Sequence, residues 1–115
     1  LIFICSDTLS PTKPDQPPQV SHSHSFDAGA AWAMMALQAT RLGYHTHGMT
    51  GVNFDLARSA LEVPERLRLE AAVALGRRGD KAILPEGLQA REAPSDRKPL
   101  GEMVFRGRFG QPGLG

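Results

Sequence analysis

Four histidines stand in two pairs, His22-Ser-His24 and His45-Thr-His47. Residues two apart on extended backbone share a face, so either pair can offer two imidazoles to one metal ion. A metal asks for three or four ligands, however, and no Asp, Glu or Cys stands at a telling spacing from either pair. Solvated or hydrogen-bonded histidines are therefore the plainer expectation, with no metal site. The sequence holds no Walker loop, no G-x-G-x-x-G, no H-E-x-x-H and no G-x-S-x-G. Cys5 is the only cysteine, which excludes an internal disulfide framework and most cysteine-based metal sites and agrees with a reducing compartment.

The elements that carry these residues follow from pattern and punctuation. The 115 residues leave room for one domain, and thirteen basic against twelve acidic residues give a net charge of +1. That balance speaks against a nucleic-acid binder, which needs a strongly basic domain or face. Leu1 to Cys5 is a β-branched and aromatic run that reads as a buried central strand, without the basic flank or cleavage site of a targeting segment. A start at Leu1, without Met and in mid-strand, suggests the carboxy-terminal part of something larger. Thr8 to Ser25, with Pro11, Pro14, Pro17 and Pro18, is expected to be an irregular loop.

Ser25 is a candidate N-cap for a helix from Phe26 to Leu42, about 25 Å long at 1.5 Å per residue, with Gly43 as its stop. No polar side chain occurs from Ala28 to Leu37. Such a helix wants burial on every face, either at the centre of a core or at a subunit interface, yet it is too short to span a membrane. Tyr44 to Gly51 is a loop or short strand, and Asn53 can cap a second helix from Phe54 to Leu61. Leu67, Leu69, Ala71, Val73 and Leu75 alternate with Arg68, Glu70, Ala72 and Ala74 as a strand growing more buried toward Gly76. Arg77 to Asp80 forms its exit turn. Lys81 to Gly115 reads as a polar tail with a short helix at Pro85 to Ala93, a weakly apolar Leu100 to Phe109 and a frayed end at residues 110–115.

Several segments in this order resemble the carboxy-terminal half of the nitroreductase family: Phe26-Asp-Ala-Gly-Ala-Ala-Trp32, Leu42-Gly-Tyr-His-Thr-His-Gly-Met-Thr-Gly51, Val63-Pro-Glu65, Ala71-Ala-Val-Ala-Leu-Gly76 and Ser95-Asp-Arg-Lys-Pro-Leu100. The resemblance covers nearly the whole chain. It implies an α+β fold, a mixed sheet flanked by helices, in which residues 1–115 form the carboxy-terminal part of a single domain. It also implies a homodimer through the helix Phe26 to Leu42, with FMN at the interface. Hydride would pass from NAD(P)H through the flavin to a nitroaromatic, a quinone or a related acceptor, in a cytoplasmic enzyme. Gly48, Met49, Thr50 and Gly51 match the loop whose backbone N–H groups address the flavin ring. Glycine suits a backbone that must approach a flat ring, although Gly48 and Gly51 would equally serve a tight turn. Arg97, with Lys98 beside it, matches the basic position that closes on the FMN phosphate; a guanidinium forks onto phosphate oxygens, but a solvated loop Arg beside Asp96 is the ordinary alternative. Catalytic side chains are not required, because the flavin carries the chemistry. The family's amino-terminal half supplies much of the FMN pocket, so the 115 residues alone are expected to bind FMN weakly. Two other classes fit the same residues: a non-catalytic dimerisation module docking through the apolar helix, and a small metalloprotein using the histidine pairs.

Overall fold

The coordinates, a computed structural model, describe residues 1–10 and 14–113. They fall into two compact units, Leu1–Arg78 and Gly79–Gly115. Among the described residues the first holds five strands and two helices: β1 (Ile2–Asp7), β2 (Leu9–Ser10), β3 (Gln19–Val20), α1 (His24–Arg41), β4 (His45–Met49), α2 (Phe54–Ala60) and β5 (Leu67–Gly76). The class is α+β, and every strand pairing in it is antiparallel.

The long strand β5 takes the centre of a three-stranded sheet ordered β1-β5-β4. The central position expected for the first strand therefore belongs to β5, and β1 is an edge. Length decides this, since β5 has ten residues and can pair on both sides over most of its span. Leu1 and Ile2 are exposed as a result. Within the segment expected to be an irregular loop, β2 and β3 form a short antiparallel pair, Leu9 opposite Val20 and Ser10 opposite Gln19. The expectation for Pro11 lies outside the described residues.

One irregularity organises the sheet. Ile4 pairs with Ala71 but Cys5 pairs with Leu69, so Glu70 is an extra residue on β5 with no partner on β1. Such a bulge reverses which alternate residues face a given side. Glu70 reaches α1 through Ser25, and beyond the bulge Leu75 lines an apolar cavity with Met35 and Ala39 of α1. Val73 and Leu75 thus face α1, whereas Leu67 and Leu69 face the other side. The strict alternation read from sequence places all of them on one face, and the bulge breaks it. Burial peaks at Leu69, Ala72 and Val73, and Ala74 to Gly76 are exposed, opposite to the expected rise in burial toward Gly76.

Helix α1 starts two residues before the expected Phe26, with Ser23 and not Ser25 at its N-cap. Ser23 Oγ donates to Asp27 Oδ2 at 2.7 Å, and Ser25 is drawn to the sheet. At the other end Gly43 has φ +77°; its N–H donates to Thr40 O at 3.0 Å and the Tyr44 N–H to Ala39 O at 2.9 Å. This pair of bonds is the Schellman arrangement, and the left-handed backbone it needs favours glycine. Against the sheet α1 buries Ala28 and Ala39 but leaves Phe26, Met34 and Leu37 at 79%, 72% and 69% exposure. Asn53 caps α2 as expected, its Oδ1 accepting the Leu56 N–H at 2.9 Å. The Arg58 guanidinium then donates to the carbonyls of Val63, Pro64 and Leu67, closing the turn into β5.

In the second unit, Asp80 Oδ1 accepts the Ala82 N–H at the start of a 3₁₀ turn, Lys81–Ile83. The expected helix contracts to a single turn, α3 (Glu86–Gln89), after Pro85. The end expected to fray folds back through residue 113: Phe105 bridges to Pro112, and the Gly113 N–H donates to Val104 O at 3.1 Å. The rings of Phe105 and Phe109 sit 4.7 Å apart in a tilted arrangement. Residues 114 and 115 lie outside the described residues.

Asn53→Ala removes a side-chain cap from a seven-residue helix. Chemical denaturation should show a loss of about 1 kcal/mol, and Asn53→Asp should retain most of it, because Asp caps equally well.

Candidate functional site

Among residues separated by long stretches of chain, the densest side-chain cluster gathers at the bulge. Ser6 Oγ donates to Glu70 Oε1 at 2.7 Å and Ser25 Oγ donates to the same oxygen at 2.6 Å. His24 Nδ1 lies 2.8 Å from Ser6 Oγ and 3.2 Å from Ser25 Oγ. Each hydroxyl has one proton, already given to Glu70, so both accept at His24 and Nδ1 carries the hydrogen. Arg68 Nε stands 3.5 Å from Glu70 Oε2.

A serine, a histidine and a glutamate together invite comparison with a nucleophile relay, but this geometry does not make one. A relay needs the base on one ring nitrogen and the carboxylate on the other, whereas Ser6 and Glu70 both address the Nδ1 side. Ser6 is also only 5% exposed. The cluster fastens the first turn of α1 to β1 and β5. Burial pushes the Glu70 carboxyl up, yet hydrogen bonds from Ser25 and Ser6, followed by the charges of Arg68 and His24, outweigh it and hold the group below the usual carboxylate range. Sequence reasoning missed these residues because Glu70 occupies an ordinary polar slot in the alternation of its strand.

The expected ligand loop is partly strand. Gly48 and Met49 end β4, and Thr50 and Gly51 follow it. A Cβ on Gly48 would meet the Trp32 ring at 3.4 Å, so this backbone already lies against one flat ring, the indole of α1. A Cβ on Gly51 would meet nothing within 4 Å, and its φ is not in the left-handed region. Packing within the chain thus gives no reason for glycine at 51. The N–H groups of Thr50 and Gly51 have no hydrogen-bond acceptor among the described residues, and both residues are exposed. They leave two backbone donors, side by side, facing open space at the end of an edge strand.

Arg97 and Lys98 belong to the second unit and are exposed. The Arg97 guanidinium folds back on its own loop, donating to Ser95 O, Ser95 Oγ and Asp96 O at 3.0, 2.6 and 3.2 Å. Of the histidines, His24 opens α1 in the cluster above, His22 is exposed just before it, and His45 and His47 lie on β4. Among the described residues no three His, Cys, Asp or Glu side chains gather as a metal site. No helix among them is long and apolar enough to cross a membrane.

No protein-family model matches the chain. The uncharacterized 15.4 kDa protein in the ask 5′ region of Mycolicibacterium smegmatis is 35% identical over 114 residues, covering 97% of this chain and 72% of that protein. The chain belongs to that family. A crystal structure described as that of an oxidoreductase containing FMN superposes on it with a TM-score of 0.88 at 44% identity, over 95% of this chain and 55% of that one. The chain therefore spans about half the length of this solved relative.

Glu70 has a lower pKa in the folded protein than in the unfolded chain. The stability it contributes is fully present above the unfolded-state value and is lost as pH falls through the folded-state value. Thermal unfolding of the native protein and Glu70→Ala should differ clearly at neutral pH, the variant melting lower. The gap should narrow as the solution is made acidic.

Proposed function

We propose that this chain is the flavin-facing part of an FMN-dependent oxidoreductase of nitroreductase type. The observation that carries the reading is the pair of free backbone donors at Thr50 and Gly51, beside a glycine that packing within the chain does not require. A flat ring approaching this edge meets no side chain at Gly51 and two N–H groups without acceptors. Donors in such a position stabilise charge that develops on a ring nitrogen or carbonyl oxygen when the ring is reduced. Likeness to a structure containing FMN, at 44% identity, supports the same cofactor here.

On this reading Gly48, Met49, Thr50 and Gly51 address the ring edge, and Arg97 with Lys98 is a separate proposal for a phosphate site in the second unit. For that, Arg97 must exchange its bonds to Ser95 and Asp96 for phosphate oxygens, an exchange of neutral acceptors for charged ones that favours the ligand. The bound flavin supplies hydride chemistry, with NAD(P)H as donor and a nitroaromatic, quinone or related compound as acceptor. A cytoplasmic setting, consistent with the free thiol of Cys5, belongs to the same proposal.

The single tryptophan of the chain, Trp32, touches Gly48, so it reports on this edge. FMN added to the protein should quench Trp32 fluorescence saturably. Gly51→Val should weaken that binding about tenfold, equivalent to roughly 1.4 kcal/mol, without lowering the melting temperature. Absence of quenching, together with a colourless protein when purified from its natural reading frame, would sink the flavin reading.

The exposed Phe26, Met34 and Leu37 support a second part of the proposal, that α1 pairs with α1 of another copy. Sedimentation should find a dimer, and Met34→Glu with Leu37→Glu should give a monomer that keeps its helical content.

A further inference from the structure

Strand β4 presents two different faces. Gly48 is turned toward Trp32 of α1, and alternation places His45 and His47 on the opposite face. Their cross-strand partners on β5 are Gly76 and Ala74, which carry a hydrogen and a methyl group, so the space between imidazoles and neighbouring strand stays unfilled. A shallow cavity of about 290 Å³ opens there, bordered by His45, His47, Ala74, Gly76 and Arg77. The Arg77 guanidinium lies over the Tyr44 ring, 5.6 Å from its centroid, and has no carboxylate partner among the described residues. Neither the His45 nor the His47 imidazole makes a hydrogen bond or ion pair among those residues. The Arg77 guanidinium is thus engaged with Tyr44, the rim offers two imidazoles, and no acidic side chain lines the cavity.

We propose that this groove binds the carboxylate of an aromatic acceptor substrate, a specificity site that rests on the flavin reading above. An imidazole N–H donates to a carboxylate oxygen in either protonation state, and two such donors stand side by side on this face. Ala74 and Gly76 provide a flat, largely apolar floor for a ring. The volume suits one substituted ring and is too small for a dinucleotide. His47 precedes Thr50 by three residues, about 10 Å of extended chain, so a ring held by its carboxylate at the histidines extends toward the free donors of Thr50 and Gly51.

The test follows the Hε1 proton resonances of the four histidines while 4-nitrobenzoate or uncharged nitrobenzene is added, with and without FMN. Nitrobenzoate should shift His45 and His47, leave His22 and His24 in place, and bind about fivefold more tightly than nitrobenzene, the worth of one hydrogen bond. His45→Ala with His47→Ala should abolish that preference while leaving circular dichroism and FMN affinity unchanged. Equal binding of the two compounds, or a preference that survives the double substitution, would overturn the proposal. So would a double variant that loses FMN affinity but keeps riboflavin affinity, because the groove would then hold the cofactor's phosphate. Should nitrobenzoate shift His45 and His47 selectively in a protein that binds no FMN, the carboxylate groove stands and the flavin reading fails.

Discussion

The Glu70 carboxylate, placed by a one-residue bulge, ties together three elements that otherwise share little apolar surface. Its Oε1 receives hydroxyls from Ser6 on β1 and Ser25 on α1, and His24 completes the ring of contacts. Among the described residues the buried apolar set is small, Ala28, Ala39, Leu69, Ala72 and Val73, so directional polar bonds carry much of the burden of fixing where α1 lies on the sheet. Because the first turn of α1 is pinned there, Trp32 about two turns along comes to rest beneath Gly48. The free donors of Thr50 and Gly51 inherit their position from that contact.

The same placement explains the surplus of apolar surface. A helix without a polar side chain from Ala28 to Leu37 asks for cover on all sides, and this sheet covers one. Small residues, Ala28 and Ala39, take the sheet side, which lets the backbones approach closely, while Phe26, Met34 and Leu37 point away. Three large apolar side chains on one helix are thereby left without cover from this sheet.

Strand β4 divides its labour by parity. One face packs on the indole of α1 and contributes stability; the other shows His45 and His47 to an open groove; and its end releases two backbone donors. The structure supplies shape and donors at a sheet edge, the sort of task for which glycine and a short edge strand are well fitted.

Local chemistry made much of this legible from residues alone. The bounds of β5, the glycine stop at Gly43 and the Asn53 cap depend on neighbours within a few positions, and the sequence states them directly. The α+β class came with the family resemblance, as did the expectation of a backbone site at residues 48–51, and the structure adds that Gly48 already faces a ring of the protein itself. Tertiary structure alone decided the rest. A bulge exists only relative to a partner strand, so no periodicity in β5 could reveal that Glu70 is the extra residue. Ser25 reads as a helix cap because capping is the commonest use of a serine before an apolar run. Its actual acceptor is 45 residues away, and that of Ser6 is 64 residues away. The edge position of β1 likewise depends on which strand can pair on both sides. Partners distant in sequence are chosen by the assembled fold, and that choice leaves no local mark on the residues that make it.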